Sequence, residues 1–339
     1  MQKSIFANLL NTTTRLWTKL LRIFITVSLL GLVLWISPLR STLDSIRRAD
    51  LFWIAAAMLL QFAGIWVQVF RWHVLLDESS VSILRLLKIH LIGISASFFL
   101  PSSLAGDAAR SALLARQKGL LEKSVLSMLA ARLLGLAALL TLALTGAFLW
   151  SSPLLHFKPN KIALVLAVFC LACIGPAWLS WKRLRRNTAW WHTGSSLKLR
   201  MFNSFAYLDD SLRNPLILSK AIILSLLLQG FTLLAGWCLF RSVCTALPVG
   251  AAFALLPLVQ LGSLAPLSVG GFGVREGMTM ALFHGVAGLP RETCLAVMAL
   301  GYATNVALSL PGILLLSFFR NQKNETVRHP QPQGADADA

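Results

Sequence analysis

Charge is scarce in this chain, acidic charge above all. Asp, Glu, Lys and Arg make up 13% of its 339 residues, and only 13 residues are acidic. A soluble domain usually carries about 25% charged residues, so a wholly water-solvated surface is excluded. Cysteines number five, and Cys170-x-x-Cys173 has neither a second pair nor a flanking His. A zinc or dithiol centre is therefore not indicated, and these cysteines read as small apolar residues on a membrane helix. The six histidines are scattered, with no His-x-x-x-His pair and no Cys/His cluster at metal-ligand spacing. The run Gly270-Gly271-Phe272-Gly273 follows no strand and lacks the Lys-Ser/Thr of a phosphate-binding loop. No Ser/His/Asp arrangement is visible, and no metal, nucleotide or other cofactor is expected.

Apolar residues are what the chain has in excess. They are 56% of it, and the mean hydropathy is +0.71. A spanning helix needs about 20 mostly apolar residues. Six runs qualify, at 20–37, 51–70, 124–150, 162–181, 216–240 and 294–319, with tryptophans near many of their ends. The first follows Lys3, Arg15, Lys19 and Arg22 in the manner of a signal peptide. No small-x-small cleavage site comes after it, so it reads as an uncleaved first membrane helix. Two further apolar stretches are broken. Residues 86–100 run into Pro101-Ser102-Ser103-Leu104-Ala105-Gly106-Asp107, and 251–267 run through Pro266 into Ser268-Val269-Gly270-Gly271-Phe272-Gly273-Val274-Arg275-Glu276. Short apolar runs follow each break, at 108–115 and 278–289.

The 31 Lys and Arg decide the threading. Suppose both broken stretches are re-entrant, entering and leaving the bilayer on one side. Both termini are then cytoplasmic, and only Arg40, Arg47, Arg48, Lys158, Lys161, Arg241, Arg275 and Arg291 face outward. Simple crossing by both would place the basic 182–213 segment outside, against the positive-inside rule. The expected fold is an all-α integral membrane bundle, with six crossing helices and two re-entrant broken helical segments. It forms one polytopic domain over 1–319, whose halves (20–150 and 161–319) are inserted in opposite senses. Inverted repeats with paired Gly/Pro-interrupted segments point to a transporter-like site. The basic segment 182–215 suits a short helix on the inner leaflet or a solvated loop, and 320–339 is expected to be disordered. The net charge of +18 then reflects orientation and contact with anionic lipid, and nucleic acid is not an expected partner.

An ionisable group in hydrocarbon is costly and normally faces a cavity or a partner. The candidates are Asp107, Arg110, Arg132, Arg275 and Glu276. On one reading they line a polar cavity between the breaks, where Arg forks and freed backbone amides bind a phosphate. Pro101, Gly106, Pro266, Gly270, Gly271 and Gly273 would shape the breaks. On the other reading the charges pair with one another and pin the loops. Arg132 lies about two turns into its helix, so a partner is expected for it. His90 and His284 lie in or beside the broken stretches, where either is a candidate proton relay.

The segment from Phe98 to Arg110, with its Leu100-Pro101 and Gly106-Asp107, resembles the first signature of the lysylphosphatidylglycerol synthase transmembrane region, a flippase-like family. Pro266-x-Ser268-x-Gly270-Gly271-x-Gly273-x-Arg275-Glu276 resembles its second. Arg132 matches an Arg that typically follows a Glu in the next helix. The resemblance covers roughly 20–319 and implies a lipid-translocating domain of the bacterial inner membrane. Two positions depart from the pattern. Ala105 replaces a Gly, and Ala131 replaces the acidic residue before Arg132. That lost carboxylate argues against a lysyl lipid and for an anionic headgroup. Synthase activity is not implied, because only a short tail follows residue 319.

The expected function is movement of a phospholipid, or of a polyprenyl-phosphate or hopanoid-type lipid, between leaflets. Membrane lipids are the expected partners. The alternatives are a membrane-embedded lipid-modifying transferase with Asp107 or Glu276 as base, and an accessory subunit with protein partners in envelope biogenesis.

Overall fold

The computed structural model describes residues 39–76, 81–99, 105–115, 120–150, 214–244, 247–264 and 272–328, together with 28 and 31. Among these residues the fold is helical and contains no strand. In chain order the helices are α1 (Leu39–Arg47), α2 (Leu51–Leu76), α3 (Ile83–Phe99), α4 (Ala105–Leu114) and α5 (Leu120–Leu149). They continue with α6 (Pro215–Val243), α7 (Val249–Leu264), α8 (Val274–Thr279), which runs into a π-turn at Met280–His284, and α9 (Arg291–Arg328).

Four helices are long and apolar enough to cross a membrane: 51–76, 123–149, 215–243 and 291–315. Each carries bulky apolar side chains outward, among them Leu59 on α2, Leu129 on α5, Ile223 on α6 and Leu314 on α9. Exposed apolar faces of this size suit lipid rather than water. The expected run 20–37, apart from residues 28 and 31, lies outside the described residues, as do the run 162–181 and the basic segment 182–213. α3 and α7 have 17 and 16 residues, about 26 and 24 Å of helix, short of a bilayer's roughly 30 Å. Each stops just before its Pro/Ser/Gly-rich break. The backbone of α9 stays helical to Arg328, where a structureless tail was expected from residue 320. The segment 320–328 contains no Gly or Pro, and extending a nucleated helix is far easier than starting one.

At the centre α2 and α6 pack as an antiparallel pair. Trp53 meets Trp237 edge-to-face, Gly64 faces Leu228, and Arg71 bonds Ser225. The packing around this pair is duplicated. α2 contacts α3 as α6 contacts α7; α3 contacts α4 as α7 contacts α8; and α5 crosses onto α7 as α9 crosses onto α3. Two buried clusters fill much of the interior, one within the first half and one that joins Ala57, Ala147 and Trp150 to the second half. Val69, Trp72, Leu86, Leu114 and Leu120 form one. The other includes Phe240, Leu255 and Phe283, with the Phe240 and Phe283 rings stacked at 4.3 Å.

Small residues set the two crossings, as is usual where helices meet in lipid. A Cβ on Gly146 would lie 2.5 Å from Phe253 Cβ and 2.7 Å from Ala254 N. A Cβ on Gly312 would collide with Leu91 O and Ser95 Oγ. Backbone cannot yield as a flexible side chain can, so Gly146→Val should destabilise by about 2–3 kcal/mol through overpacking. Gly230 has nothing within 4 Å of its Cβ position. Gly230→Ala should be neutral or up to about 1 kcal/mol stabilising, through helix propensity alone. Thermal unfolding in detergent compares the two variants directly.

Candidate functional site

Three helices deliver a cluster of charge. α4 carries Asp107 in its first turn, where the helix dipole favours a carboxylate. One turn on, Arg110 Nη1 donates to Asp107 Oδ1 at 2.8 Å. From α5, Arg132 Nε donates to Asp107 Oδ2 at 2.7 Å, and its Nη2 lies 2.5 Å from the same oxygen. A single carboxylate is thus held between two guanidiniums. α3 permits this because Gly93 leaves room for the Arg110 side chain lying over it, where a Cβ would collide. Gly106 belongs to α4 rather than to the break. A Cβ there would collide with Ser97 Oγ and sit 2.8 Å from Gly93 O, so Gly106 brings α4 against α3.

A third guanidinium completes the cluster. Arg71 on α2 is 4% exposed. Its Nη2 donates to Gln68 Oε1 at 2.7 Å and its Nη1 to Ser225 Oγ at 3.2 Å, both neutral acceptors. Arg71, Asp107, Arg110, Arg132 and His90 line one small polar pocket with Gln68 and Trp72. Among the described residues lining this pocket, the buried Arg71 guanidinium and the Arg110 guanidinium have Asp107 as the one carboxylate. The Nε atoms of Arg71 and Arg110 are buried and have no hydrogen-bond partner among the described residues. Unmet buried donors of this kind are costly, and an anion would satisfy them.

The polar pocket shares Gln68, His90 and Arg110 with a larger cavity of about 420 Å³ between α2, α3, α6 and α9. The rest of that cavity is walled by apolar side chains and by Gln61, Thr232 and Asn305. An apolar cavity with a few convergent polar groups is the usual form of a ligand site.

The second motif is built differently. Gly273 has φ +81°, which favours glycine, and it caps α8. Glu276 is 4% exposed. Its Oε2 accepts from Gly273 N at 2.6 Å and its Oε1 from Tyr302 OH at 2.5 Å. Phe272 stacks on Tyr302 at 5.2 Å, and the Arg275 guanidinium sits 6.0 Å from that ring's centroid. Neither Arg275 nor Glu276 lines the cavity. The structure therefore unites Asp107, Arg110 and Arg132, but it does not bring Arg275 and Glu276 to them. Both Glu276 oxygens are committed to capping α8 and tying it to α9. Glu276→Ala should lower stability by about 2 kcal/mol, through the lost cap and a stranded tyrosine hydroxyl. Any function of the cavity should stay within about twofold per folded molecule, since 0.4 kcal/mol is a factor of two. Pro101, Pro266, Gly270 and Gly271 lie outside the described residues. His284 is tied into a turn by Leu289 O and Arg291, at 2.8 and 3.1 Å, whereas His90 stands in the cavity wall.

Arg71, Gln61, Gln68, Thr232 and Asn305 escape sequence reasoning. Arg71 reads as the charged flank of the run 51–70. The apolar sequence resumes at Trp72 and continues through Val74, Leu75 and Leu76, and that signal marks Arg71 as interior.

No curated protein and no solved structure matches the chain. A family model does match, over residues 19–312. That span includes both signatures and every residue of the cluster and the cavity, and the chain belongs to the family of the lysylphosphatidylglycerol synthase TM region.

Proposed function

We propose that this protein is a flippase-like transporter, not an enzyme, that moves a lipid with an anionic, phosphate-bearing headgroup between leaflets of a bacterial inner membrane. A phospholipid or a polyprenyl-phosphate lipid fits the reading, whereas a hopanoid-type lipid carries no phosphate and does not. The observation that carries it is the pair of buried guanidiniums of Arg71 and Arg110, whose Nε atoms have no hydrogen-bond partner among the described residues, adjoining a cavity of about 420 Å³. Arg forks suit phosphate because they donate two parallel bonds. The headgroup would pass through the cavity while the tails remain in lipid.

The duplicated packing around an antiparallel α2–α6 pair supports an inverted repeat, with α3/α4 and α7/α8 as its broken, re-entrant arms. In that arrangement the runs 20–37 and 162–181 supply two further crossings to the four described. Both termini are then cytoplasmic, which the Lys/Arg distribution favours.

The test is leaflet exchange of acyl-labelled phosphatidylglycerol in proteoliposomes, read by dithionite quenching. The wild-type chain should exceed protein-free vesicles at least tenfold. Arg110→Ala should return the rate to background while Arg132 still holds Asp107 and the fold persists. Exchange by Arg110→Ala at the wild-type rate would sink the headgroup route. Activity seen only with a co-purified partner would favour the accessory-subunit alternative.

A further inference from the structure

Among the described residues that line the polar pocket and the larger cavity, His90 is the one whose side chain ordinarily changes charge near neutral pH. It is 5% exposed. With Gln68 and Arg110 it lines both spaces, so an anion seated at Arg110 lies beside its imidazole.

The charges around His90 are mostly cationic. α3, which carries it, packs on α2, α4 and α9. From α2 comes Arg71, from α4 come Arg110 and Asp107, and Arg132 reaches the same pocket from α5. The α9 residues that line the cavity are uncharged, and Arg85 and Lys88 of α3 itself line neither space. Asp107 already accepts from Arg110 and Arg132. Before an anion arrives, an imidazolium at His90 therefore meets two buried guanidiniums, and like charges repel strongly where water is excluded. A phosphate changes that balance. It brings a negative charge to the same junction and accepts a charge-assisted bond from the imidazolium. A neutral imidazole gains less from the anion, so the two protonation states differ in how well they hold it.

We propose that binding of an anionic headgroup in this cavity takes up a proton on His90, so that lipid and proton travel together. The sign follows from linkage. A complex that holds one more proton than the empty protein and free lipid is favoured by low pH, so affinity falls as pH rises, by up to about tenfold per pH unit for one proton. The proposal rests on the transporter reading for movement, but proton uptake on binding is measured without it.

The experiment is isothermal titration calorimetry of the detergent-purified full chain with short-chain phosphatidylglycerol, in buffers of different ionisation enthalpy. The probe is a phosphodiester, which does not titrate near neutral pH, so any proton taken up goes to the protein. The wild-type chain should take up roughly half a proton or more per lipid, and its affinity should fall at least about threefold per unit between about pH 6 and 8. His90→Gln keeps a side-chain donor and cannot charge. It should bind with no net uptake and with an affinity that is flat across the same range. Zero uptake by the wild-type chain overturns the proposal, and that result does not depend on whether His90→Gln folds. Uptake that persists in His90→Gln overturns it as well, because the proton then goes elsewhere. Absence of binding at every pH overturns it together with the headgroup site. Phosphatidylcholine proteoliposomes with an imposed pH difference separate the two readings. Labelled phosphatidylglycerol should gather in the leaflet on the alkaline side, beyond what protein-free vesicles show. Proton-linked binding without exchange rejects the transporter and keeps the coupled site, whereas exchange indifferent to the pH difference, with zero uptake on binding, does the reverse.

Discussion

Asp107→Asn should be among the most damaging single changes in the chain. It preserves shape and removes the one carboxylate that Arg110 and Arg132 share at 2.8 and 2.7 Å. Breaking a buried pair by deleting one partner costs about 3–5 kcal/mol. The Asp107 side chain is 23% exposed, so the expected loss is somewhat smaller, about 2–3 kcal/mol after allowing for solvent screening. That is a fall of several degrees in the unfolding temperature, measurable by thermal shift in detergent. Repulsion among the guanidiniums adds to it. Anionic lipid should therefore restore stability to Asp107→Asn more than to the wild type, by placing a negative charge where the carboxylate was. An Asp107→Asn protein as stable as the wild type, with no response to anionic lipid, would remove the cluster from both fold and function.

Arg71→Met should separate function from stability in the opposite direction. Arg71 is almost fully buried, and its hydrogen bonds go to Gln68 and Ser225 rather than to a carboxylate. Among the described residues Arg71 bonds no carboxylate, and a desolvated guanidinium is costly to bury, so an apolar side chain of similar length should cost little stability. Arg71→Met should unfold close to the wild-type temperature. Its binding of phosphatidylglycerol should nevertheless fall at least tenfold, because charge-assisted bonds to a phosphate contribute about 1.5–3 kcal/mol. A stable protein that has lost its ligand is the signature of a group kept for binding. If Arg71→Met instead unfolds early and binds normally, Arg71 is structural.

Much of the scaffold was legible from hydropathy. The runs at 51–70, 124–150, 216–240 and 294–319 are all helices, because twenty apolar residues leave few alternatives in lipid. The helix ends differ by a few residues, since α2 runs past Arg71 to Leu76 and α9 past 319 to Arg328. Arg132's need of a partner was also legible. With Ala131 in the place of the expected acidic residue, the partner is Asp107, which the sequence places 25 positions earlier. Glu276's role at the start of α8 was not legible, because Gly273 has no side chain and Gly273-x-x-Glu276 carries only one of the two bonds of a capping box. The cavity wall was not legible. Gln61, Thr232 and Asn305 come from three helices, each set in a largely apolar run. Only packing brings them to one level, and no local period records it.

The central α2–α6 pair also bears on how the chain is made. Arg71 and its acceptor Ser225 are 154 residues apart. At about 5–20 residues per second, a ribosome needs roughly 8–30 seconds to travel between them. During that interval α2 has entered the membrane without the helix that covers it, carrying Gln61, Gln68 and Arg71 with nothing from the second half to receive them. Its natural companions in that period are the insertion machinery and the anionic headgroups at the bilayer surface. Anionic lipid content should therefore govern the yield of correctly assembled protein during synthesis, well before the finished molecule has any cargo to bind.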